Sequence, residues 1–159
     1  MSENNKNVVR RLIEEVWNKG NLHVADELYT PNYLHHDPAT PDVGRGPEGE
    51  KQRATLYRSA FPDFRLSIDE LLADGDHVVA RWTCRGTHKG ELNGIAPTGK
   101  QFNISGISLV RFSGGKMAEL DSIDYLFVAP STSVHRIQEA QTTMYNILWE
   151  LCQSVLSEP

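Results

Sequence analysis

Four strand-like segments follow one another along the second half of the chain, and this succession constrains the fold more than any other feature. They cover residues 64–73, 77–87, 101–112 and 116–128. The Asp-Gly-Asp at residues 74–76 and the Ser-Gly-Gly at residues 113–115 are typical of tight hairpin turns. Because strands joined by tight turns pair antiparallel, the sequence predicts an antiparallel sheet.

Helix-like segments come before these strands. Apolar side chains recur at every third or fourth position in residues 5–17, which predicts an amphipathic helix, and residues 22–28 predict a short second one. A brief strand is predicted at residues 32–36, and Pro47 is well placed to start a helix over residues 48–60. This order, with the helices before an antiparallel meander, indicates the α+β class. We expect the helices to pack on a curved sheet that leaves an apolar pocket.

The pattern changes again beyond Pro130. A helix of about 25 residues is predicted there, with a heptad-like apolar stripe that Gln141 interrupts. The stripe consists of Val134, Ile137, Met144, Leu148, Leu151 and Val155. We therefore divide the chain into a main domain, residues 1–129, and a C-terminal amphipathic helix, residues 130–159. This helix either packs on its own domain or builds a homodimer or homotetramer, and the sequence leaves both readings open.

Composition excludes several classes of function. The formal net charge is −5, and no basic run is longer than Arg10-Arg11, so a nucleic-acid partner is not expected. No stretch is apolar enough to span a membrane, and the polar start favours a cytoplasmic protein. Cys84 and Cys152 lack the spacing of a metal or redox motif, and no phosphate-binding loop is found. We expect chemistry without a metal or another cofactor.

Five short fragments, in this order and spacing, resemble the SnoaL-like polyketide cyclase family. They are Ala60-Phe61-Pro62-Asp63, Ala73-Asp74-Gly75-Asp76, Gly86-Thr87-His88-Lys89-Gly90, Pro97-Thr98-Gly99-Lys100 and Gly115-Lys116. The resemblance covers roughly residues 5–128. It implies the cone fold shared with nuclear transport factor two, scytalone dehydratase and ketosteroid isomerase. It also implies a hydrophobic cavity and a cofactor-free, intramolecular aldol closure of a polyketide ring.

The resemblance also implies an acid–base aspartate on the last strand, within a Glu-Trp-x-x-x-Asp pattern. The matching stretch runs from Glu119 to Asp124, so the aspartate corresponds to Asp124. Leu120 stands where the family usually has tryptophan. This departure changes one wall of the implied cavity and weakens the expectation of a polycyclic aromatic substrate.

The predicted hairpin register gives a separate reason to prefer Asp124 over Asp121. If Ser113 lies opposite Lys116, the same register places Asp124 opposite Ser105. The shared face then carries the apolar pocket residues Ile107, Leu109 and Leu120. A carboxylate among apolar neighbours loses hydration, which raises its pKa toward the range of a general base. The alternative is a structural carboxylate held by backbone or arginine, and a one-residue slip of register would exchange the two faces.

His88 is the second catalytic candidate. A neutral imidazole at this position could donate to a substrate carbonyl or share a proton with Asp124, while the alternative is a turn histidine bonded to local backbone. Trp82 lies on the same predicted strand face, with Cys84 and Ala80. That face suits either a core or a cavity wall. Arg81 is expected on the opposite face, in a surface salt bridge.

His35 and His36 follow Tyr33 on the brief predicted strand. Adjacent strand residues point to opposite faces, so the two histidines cannot readily chelate one metal ion. We expect one of the pair, assigned here to His36, to face the pocket mouth beside Tyr33. A surface position for both is the alternative.

These residues suggest an enzyme in which Asp124 moves a proton next to a carbonyl of a hydrophobic small molecule, and the product is a cyclised or isomerised skeleton. Two other functions fit the same fold. One is a non-catalytic domain that binds a hydrophobic small molecule, and the other is an assembly module.

Overall fold

The computed structural model describes residues 2–36 and 43–123, and of residues 121–123 it describes the backbone alone. Helices precede a five-stranded sheet in the described chain, which confirms the α+β class. The strand order across the sheet is β1-β5-β4-β3-β2. The bounds are Tyr29–His36 for β1, Arg65–Asp74 for β2, His77–Thr87 for β3, Gln101–Ser113 for β4 and Lys116–Ile123 for β5.

Three helical segments carry the side chains that cover the sheet. Helix α1 spans Ser2–Arg11 and continues as a π-helical segment, Leu12–Lys19, which Gly20 ends at a φ of 79°. A 3₁₀ turn, Leu22–Val24, leads into the short helix α2, Ala25–Leu28. Helix α3 spans Gly46–Ala60, and Pro47 lies in its first turn. A helix tolerates proline in its first turn because the backbone N–H that proline lacks would have no partner inside the helix.

Strand β1 differs from the prediction in its direction. It pairs parallel with β5, with His35 opposite Leu120 and His36 opposite Asp121. The sheet is therefore mixed, whereas an antiparallel one was predicted. A parallel neighbour needs a long crossover, and here the chain passes through α3 and three strands before β5 forms.

A β-bulge in the β4–β5 hairpin corrects the predicted faces. Ser113 lies opposite Lys116 as expected, but the register shifts by one residue, and Leu120 pairs with Val110. Ile107 and Leu109 therefore lie on the face opposite Leu120, and the prediction that all three share a pocket wall was wrong. Ile107 is 41% exposed there.

The core fills the space between α1 and one face of the sheet, which we call the helix-facing surface. Helix α1 and its π-helical extension contribute Val9, Leu12, Ile13 and Val16, and the sheet contributes Val78, Ala80, Val110, Phe112, Met117 and Leu120. These side chains are at most 8% exposed. Burial of apolar area stabilises this packing by roughly 25 cal/mol per Å².

Two side chains hold the end of the first helix against the sheet. The Asn18 amide donates to Leu66 O at 2.9 Å and accepts from Leu66 N at 2.9 Å, so it pairs with the edge of β2 as a neighbouring strand would. Arg58 of α3 donates to the carbonyl oxygens of Trp17 and Asn18. These bonds satisfy carbonyl groups that the helix end leaves without partners.

Asp124 and the predicted C-terminal helix, residues 130–159, lie outside the described residues. So does part of the loop after β1, residues 37–42. Among the helices of the described ranges, none is long and apolar enough to cross a membrane.

Candidate functional site

The helix-facing surface of β3 and β4 combines apolar side chains with a few polar groups. The Trp82 indole covers Gly106 so closely that a Cβ there would lie 2.4 Å from the ring. The indole Nε1–H donates to Ser108 Oγ at 3.0 Å, which satisfies a donor that would otherwise be buried alone. Ile104 pairs with Cys84 on this surface and is nevertheless 49% exposed. The helices therefore leave the sheet open around Ile104.

Three of the fragments singled out in the sequence meet at His88. Asp63 accepts from the backbone amide and the hydroxyl of Thr87, both at 2.7 Å, which lowers the pKa of the Asp63 carboxyl. The backbone amides of Lys89 and Gly90 donate to Ala60 O, both at 2.9 Å. Farther along the chain, His88 N donates to the carbonyl oxygen of Lys100. These three fragments are therefore held together by hydrogen bonds at one place in the fold, around His88.

The hydrogen bonds of His88 determine which of its ring nitrogens carries the proton. The backbone amide of Thr98 donates to Nδ1 at 3.4 Å, and the Thr98 hydroxyl lies 3.1 Å from the same nitrogen. A nitrogen that accepts a hydrogen bond is unprotonated, so the neutral ring carries its proton on Nε2. His88 is 9% exposed, and Nε2 has no partner within the described part of the chain. It is a buried donor beside the rings of Phe61 and Phe102.

A second polar cluster lies between β1 and α3, and we call it the β1–α3 cluster: Tyr29, Tyr33, His35, Glu50 and Arg53. Glu50 and Arg53 are each 2% exposed, and Arg53 Nη1 donates to Glu50 Oε2 at 2.6 Å. The same guanidinium nitrogen contacts His35 Nδ1, and the Tyr33 hydroxyl lies 3.3 Å from that ring nitrogen. The ring of Tyr33 packs on that of Tyr29, with centroids 4.3 Å apart.

Burial shifts the acid–base properties of this cluster in two directions. Burial alone would raise the pKa of Glu50, but the hydrogen bonds and charges of His35 and Arg53 outweigh it, and the pKa is lowered. Glu50 is therefore a carboxylate at neutral pH. Burial, followed by the charge of Glu50, raises the pKa of Tyr29 well above its ordinary value, so its phenol stays protonated.

The structure reverses the expected roles of the two adjacent histidines. His36 is on the outer face, where Nε2 lies 3.1 Å from Glu119 Oε1, and its side chain is 49% exposed. Glu119 also accepts two hydrogen bonds from Arg111, and these contacts lower the pKa of the Glu119 carboxyl. His35 is the inward member of the pair, with a side chain 10% exposed.

The remaining predicted residues divide between the two faces. Tyr33, Trp82, His88 and Leu120 belong to the helix-facing side, while Ile107 and Leu109 lie on the outer face. Arg81 is on the outer face, 3.6 Å from Glu70, as predicted. Asp124 lies outside the described residues.

Sequence reasoning missed Glu50 and Arg53. Their spacing of three residues on a predicted helix places both on one face, but the same spacing is usual for solvated ion pairs. Ala54, the small apolar residue that follows Arg53, was a sequence signal that this face of the helix is buried. Within residues 2–36 and 43–123, no three His, Cys, Asp or Glu side chains come together as a metal site.

Comparison with protein families gives a match to the model of the SnoaL-like polyketide cyclases over residues 7–128. The aklanonic acid methyl ester cyclase DnrD of Streptomyces peucetius is 33% identical over 126 residues, which are 75% of this chain and 83% of that protein. The nogalonic acid methyl ester cyclase of Streptomyces nogalater is 31% identical over 106 residues, which are 65% of this chain and 78% of that protein.

Solved structures give the same result for the fold. A proposed polyketide cyclase from Acidithiobacillus ferrooxidans is 37% identical with a TM-score of 0.67, over 77% of this chain and 89% of that one. IdmH of Streptomyces antibioticus, also a proposed polyketide cyclase, is 28% identical with a TM-score of 0.64, over 75% of this chain and 90% of that one.

Proposed function

The chain belongs to the SnoaL-like polyketide cyclase family and is an enzyme of that type, and from this premise we propose that it closes or isomerises a ring by cofactor-independent acid–base chemistry. The observation that carries the proposal is the half-open, largely apolar surface around Trp82 and Ile104, with buried polar groups at its margins. A hydrophobic substrate that covers such a surface displaces water from it, and a few donors then orient a carbonyl.

The proposed substrate is a hydrophobic polyketide that carries a methyl ester. This choice follows the relatives named for aklanonic and nogalonic acid methyl esters. The buried side chain of Leu120, where the family pattern has tryptophan, leaves room for a substrate outline different from theirs. Ile104 lies at the open part of the surface and is our candidate for the point of entry.

Asp124 is the proposed acid–base residue. The family pattern that ends at this position supports the assignment. The alternation of β5 supports it too, because Leu120 is helix-facing and every second residue of a strand shares its face. Extended to position 124, this alternation predicts the same face for the carboxylate.

The proposed chemistry conserves every atom of the substrate. The Asp124 carboxylate takes a proton from the carbon beside one carbonyl, and the resulting enolate carbon bonds to a second carbonyl carbon of the same molecule. The oxygen of that carbonyl then takes up a proton, so the product is an isomer of the substrate. His88 Nε2–H is the proposed donor to an oxygen on which negative charge develops.

A turnover assay tests this proposal. Purified protein, dialysed against a chelator, is mixed with aklanonic acid methyl ester and followed by liquid chromatography and mass spectrometry. The proposal predicts a new peak of unchanged mass that forms only with the protein. Binding without a new peak would instead support the alternative of a non-catalytic binding domain.

We also propose a homodimer or homotetramer located in the cytoplasm. Support comes from the outer face of the sheet, where Leu72, Val79 and Leu109 lie in register across three strands and Leu72 is 59% exposed. Ile107, which is 41% exposed, lies beside Leu109 on the same face of β4. Charges of both signs surround this apolar row, which suits a two-fold contact between identical surfaces. The amphipathic sequence at residues 130–159 is a second candidate for assembly.

A further inference from the structure

The segment immediately before β4 folds back onto His88. Gly99 N donates to the carbonyl oxygen of His88 at 2.9 Å, and His88 N donates to the carbonyl oxygen of Lys100 at 2.9 Å. Gly99 has a φ of 68°, in the left-handed region that glycine adopts without strain. This conformation lets the residues on both sides of Gly99 reach the histidine. The turn therefore places the hydroxyl of Thr98 next to the imidazole.

Two groups of Thr98 contact the same nitrogen of the His88 ring. The backbone N–H of Thr98 donates to Nδ1 at 3.4 Å, and Thr98 Oγ1 lies 3.1 Å from that atom. Oγ1 also accepts from the backbone N–H of Lys100 at 3.4 Å, which leaves the hydroxyl hydrogen for Nδ1. The hydroxyl makes the shorter of the two contacts with Nδ1. The side chain of Thr98 therefore supplies the stronger hydrogen bond to the ring.

These contacts require an uncharged ring with its proton on Nε2. An imidazolium donates from both nitrogens, and its Nδ1–H would point at the N–H of Thr98, which is also a donor. The described contacts of the ring are those with Thr98 and Phe61, and neither residue carries a charge that would favour an imidazolium. The protonated Nε2 is buried and has no acceptor within the described part of the chain.

We propose that Thr98 is a positioning residue that holds His88 as an Nε2–H donor for a substrate oxygen. The inference rests on the proposed function, in which His88 donates to an oxygen on which negative charge develops. The ring packs against Phe61, with centroids 5.4 Å apart, and Thr98 holds its Nδ1 edge, so Nε2–H keeps one direction. A substrate oxygen supplies the acceptor that this donor lacks. Protein atoms shield Nε2 from solvent, so the oxygen reaches it as neighbouring side chains move aside.

The exposure of Thr98 separates this role from a structural one. Thr98 is exposed, so its side chain contributes little buried area to the core. Its hydroxyl acts through the imidazole, because a histidine donates from Nε2 in a constant direction only when the bond at its other nitrogen fixes the tautomer and the ring. We therefore expect loss of the hydroxyl to lower the rate constant kcat more than it changes KM or Tm.

The experiment removes this hydroxyl and then restores it. Thr98→Val keeps the shape of the side chain without the hydroxyl, and Thr98→Ser keeps the hydroxyl without the methyl group. Thr83→Val is the matched control, because the Thr83 hydroxyl bonds Asp69 and Ser105 on the outer face of the same strand, β3. Three properties are measured for each protein: the ¹⁵N chemical shifts of the His88 ring, Tm, and kcat and KM for aklanonic acid methyl ester.

The wild-type ring should show a protonated Nε2 and an unprotonated, hydrogen-bonded Nδ1 at neutral pH. In Thr98→Val the Nδ1 signal should move toward that of a nitrogen without a hydrogen bond. We expect kcat to fall about tenfold, the lower end of the loss typical when a group that orients an imidazole is removed, because the backbone N–H of Thr98 remains. Thr98→Ser should recover the wild-type shift and most of kcat, and Thr83→Val should retain both.

Three results would overturn the proposal: a protonated Nδ1 in the wild type, full kcat in Thr98→Val, or a kcat of Thr98→Ser as low as that of Thr98→Val. Its failure differs from a failure of the proposed function. A wild-type protein without turnover contradicts the function, whereas the ring shifts are measured without substrate and decide whether Thr98 holds the ring.

Discussion

Glu50 and Arg53 are the buried charged residues of the described chain, and each depends on the other. Their contact at 2.6 Å replaces the water that both groups lose on folding. The free energy of this arrangement is sensitive to the removal of one partner, since the remaining charge is left without compensation. It is also sensitive to pH, because the pKa of Glu50 is lowered in the folded protein.

The free energy of unfolding should depend on pH through the titration of Glu50. An unfolded glutamate has a pKa of about 4.3, and the pKa of Glu50 in the folded protein is lower. The stabilisation that the ionised carboxylate provides is therefore fully present above about pH 4.3 and is lost as the pH falls through the folded pKa. At pH 7, Glu50→Gln should reduce the free energy of unfolding by about 3–5 kcal/mol. Urea unfolding between pH 7 and pH 3.5 should show this difference shrinking below about pH 4.3. A constant difference would contradict the lowered pKa.

Cys84 provides a second test at the residue scale. Burial in β3 raises the pKa of its thiol to about 12, so at pH 8 only about one molecule in 10⁴ carries the reactive thiolate. In a Cys152→Ser background, a thiol reagent at pH 8 should label the folded protein far more slowly than the urea-unfolded protein. Equal labelling rates in the two states would show that the thiol is not buried.

At the scale of elements, the pairing of β3 with β4 shapes the candidate pocket. Trp82 can lie flat across the sheet only because its partner, Gly106, has no side chain. The indole then reaches Ser108 on the next helix-facing position of β4. A side chain at position 106 must push the ring away from this bond.

Gly106→Ala should therefore displace the Trp82 ring. The added Cβ would lie 2.4 Å from the indole, and the adjustment should cost about 1–3 kcal/mol of stability. The indole N–H signal of Trp82 in a ¹⁵N–¹H NMR spectrum should shift as its bond to Ser108 is lost. Ser105→Ala, at the exposed neighbouring position, is the control and should leave this signal in place.

The elements show what the sequence could and could not predict. The period-two pattern of residues 77–87 gave the bounds of β3, because a half-buried strand must alternate. The pattern did not reveal the bulge near Ala118, which placed Ile107 and Leu109 on the outer face. A bulge depends on the fit between two strands that each alternate normally. The direction of β1 and the burial of Glu50 with Arg53 likewise depend on tertiary neighbours.

For the whole molecule, the outer face of the sheet is the main unexplained surface. Its apolar row joins Leu72, Val79 and Leu109 across three strands, with Ile107 beside it. Arg81, Arg111 and Glu70 lie around this row and are exposed. Exposed apolar rows with polar rims are typical of contacts between proteins.

A charge in this row should separate the subunits of the proposed oligomer. Ile107→Glu places a carboxylate at the apolar contact, so light scattering after size exclusion should give a smaller particle mass than for the wild type. Ile95→Glu is the matched control, because Ile95 is 57% exposed but lies in the loop between β3 and β4. If both variants keep the wild-type mass, deletion of residues 131–159 tests the other candidate surface.

The most direct test of the proposed chemistry compares two carboxylates near the end of the last strand. Asp124→Asn keeps the side-chain volume and removes the base, so kcat should fall by at least about 10²-fold while substrate affinity and Tm stay close to wild type. Asp121→Asn, made at the position that alternation assigns to the other face, should retain turnover. Equal activity in wild type and Asp124→Asn would contradict the acid–base account.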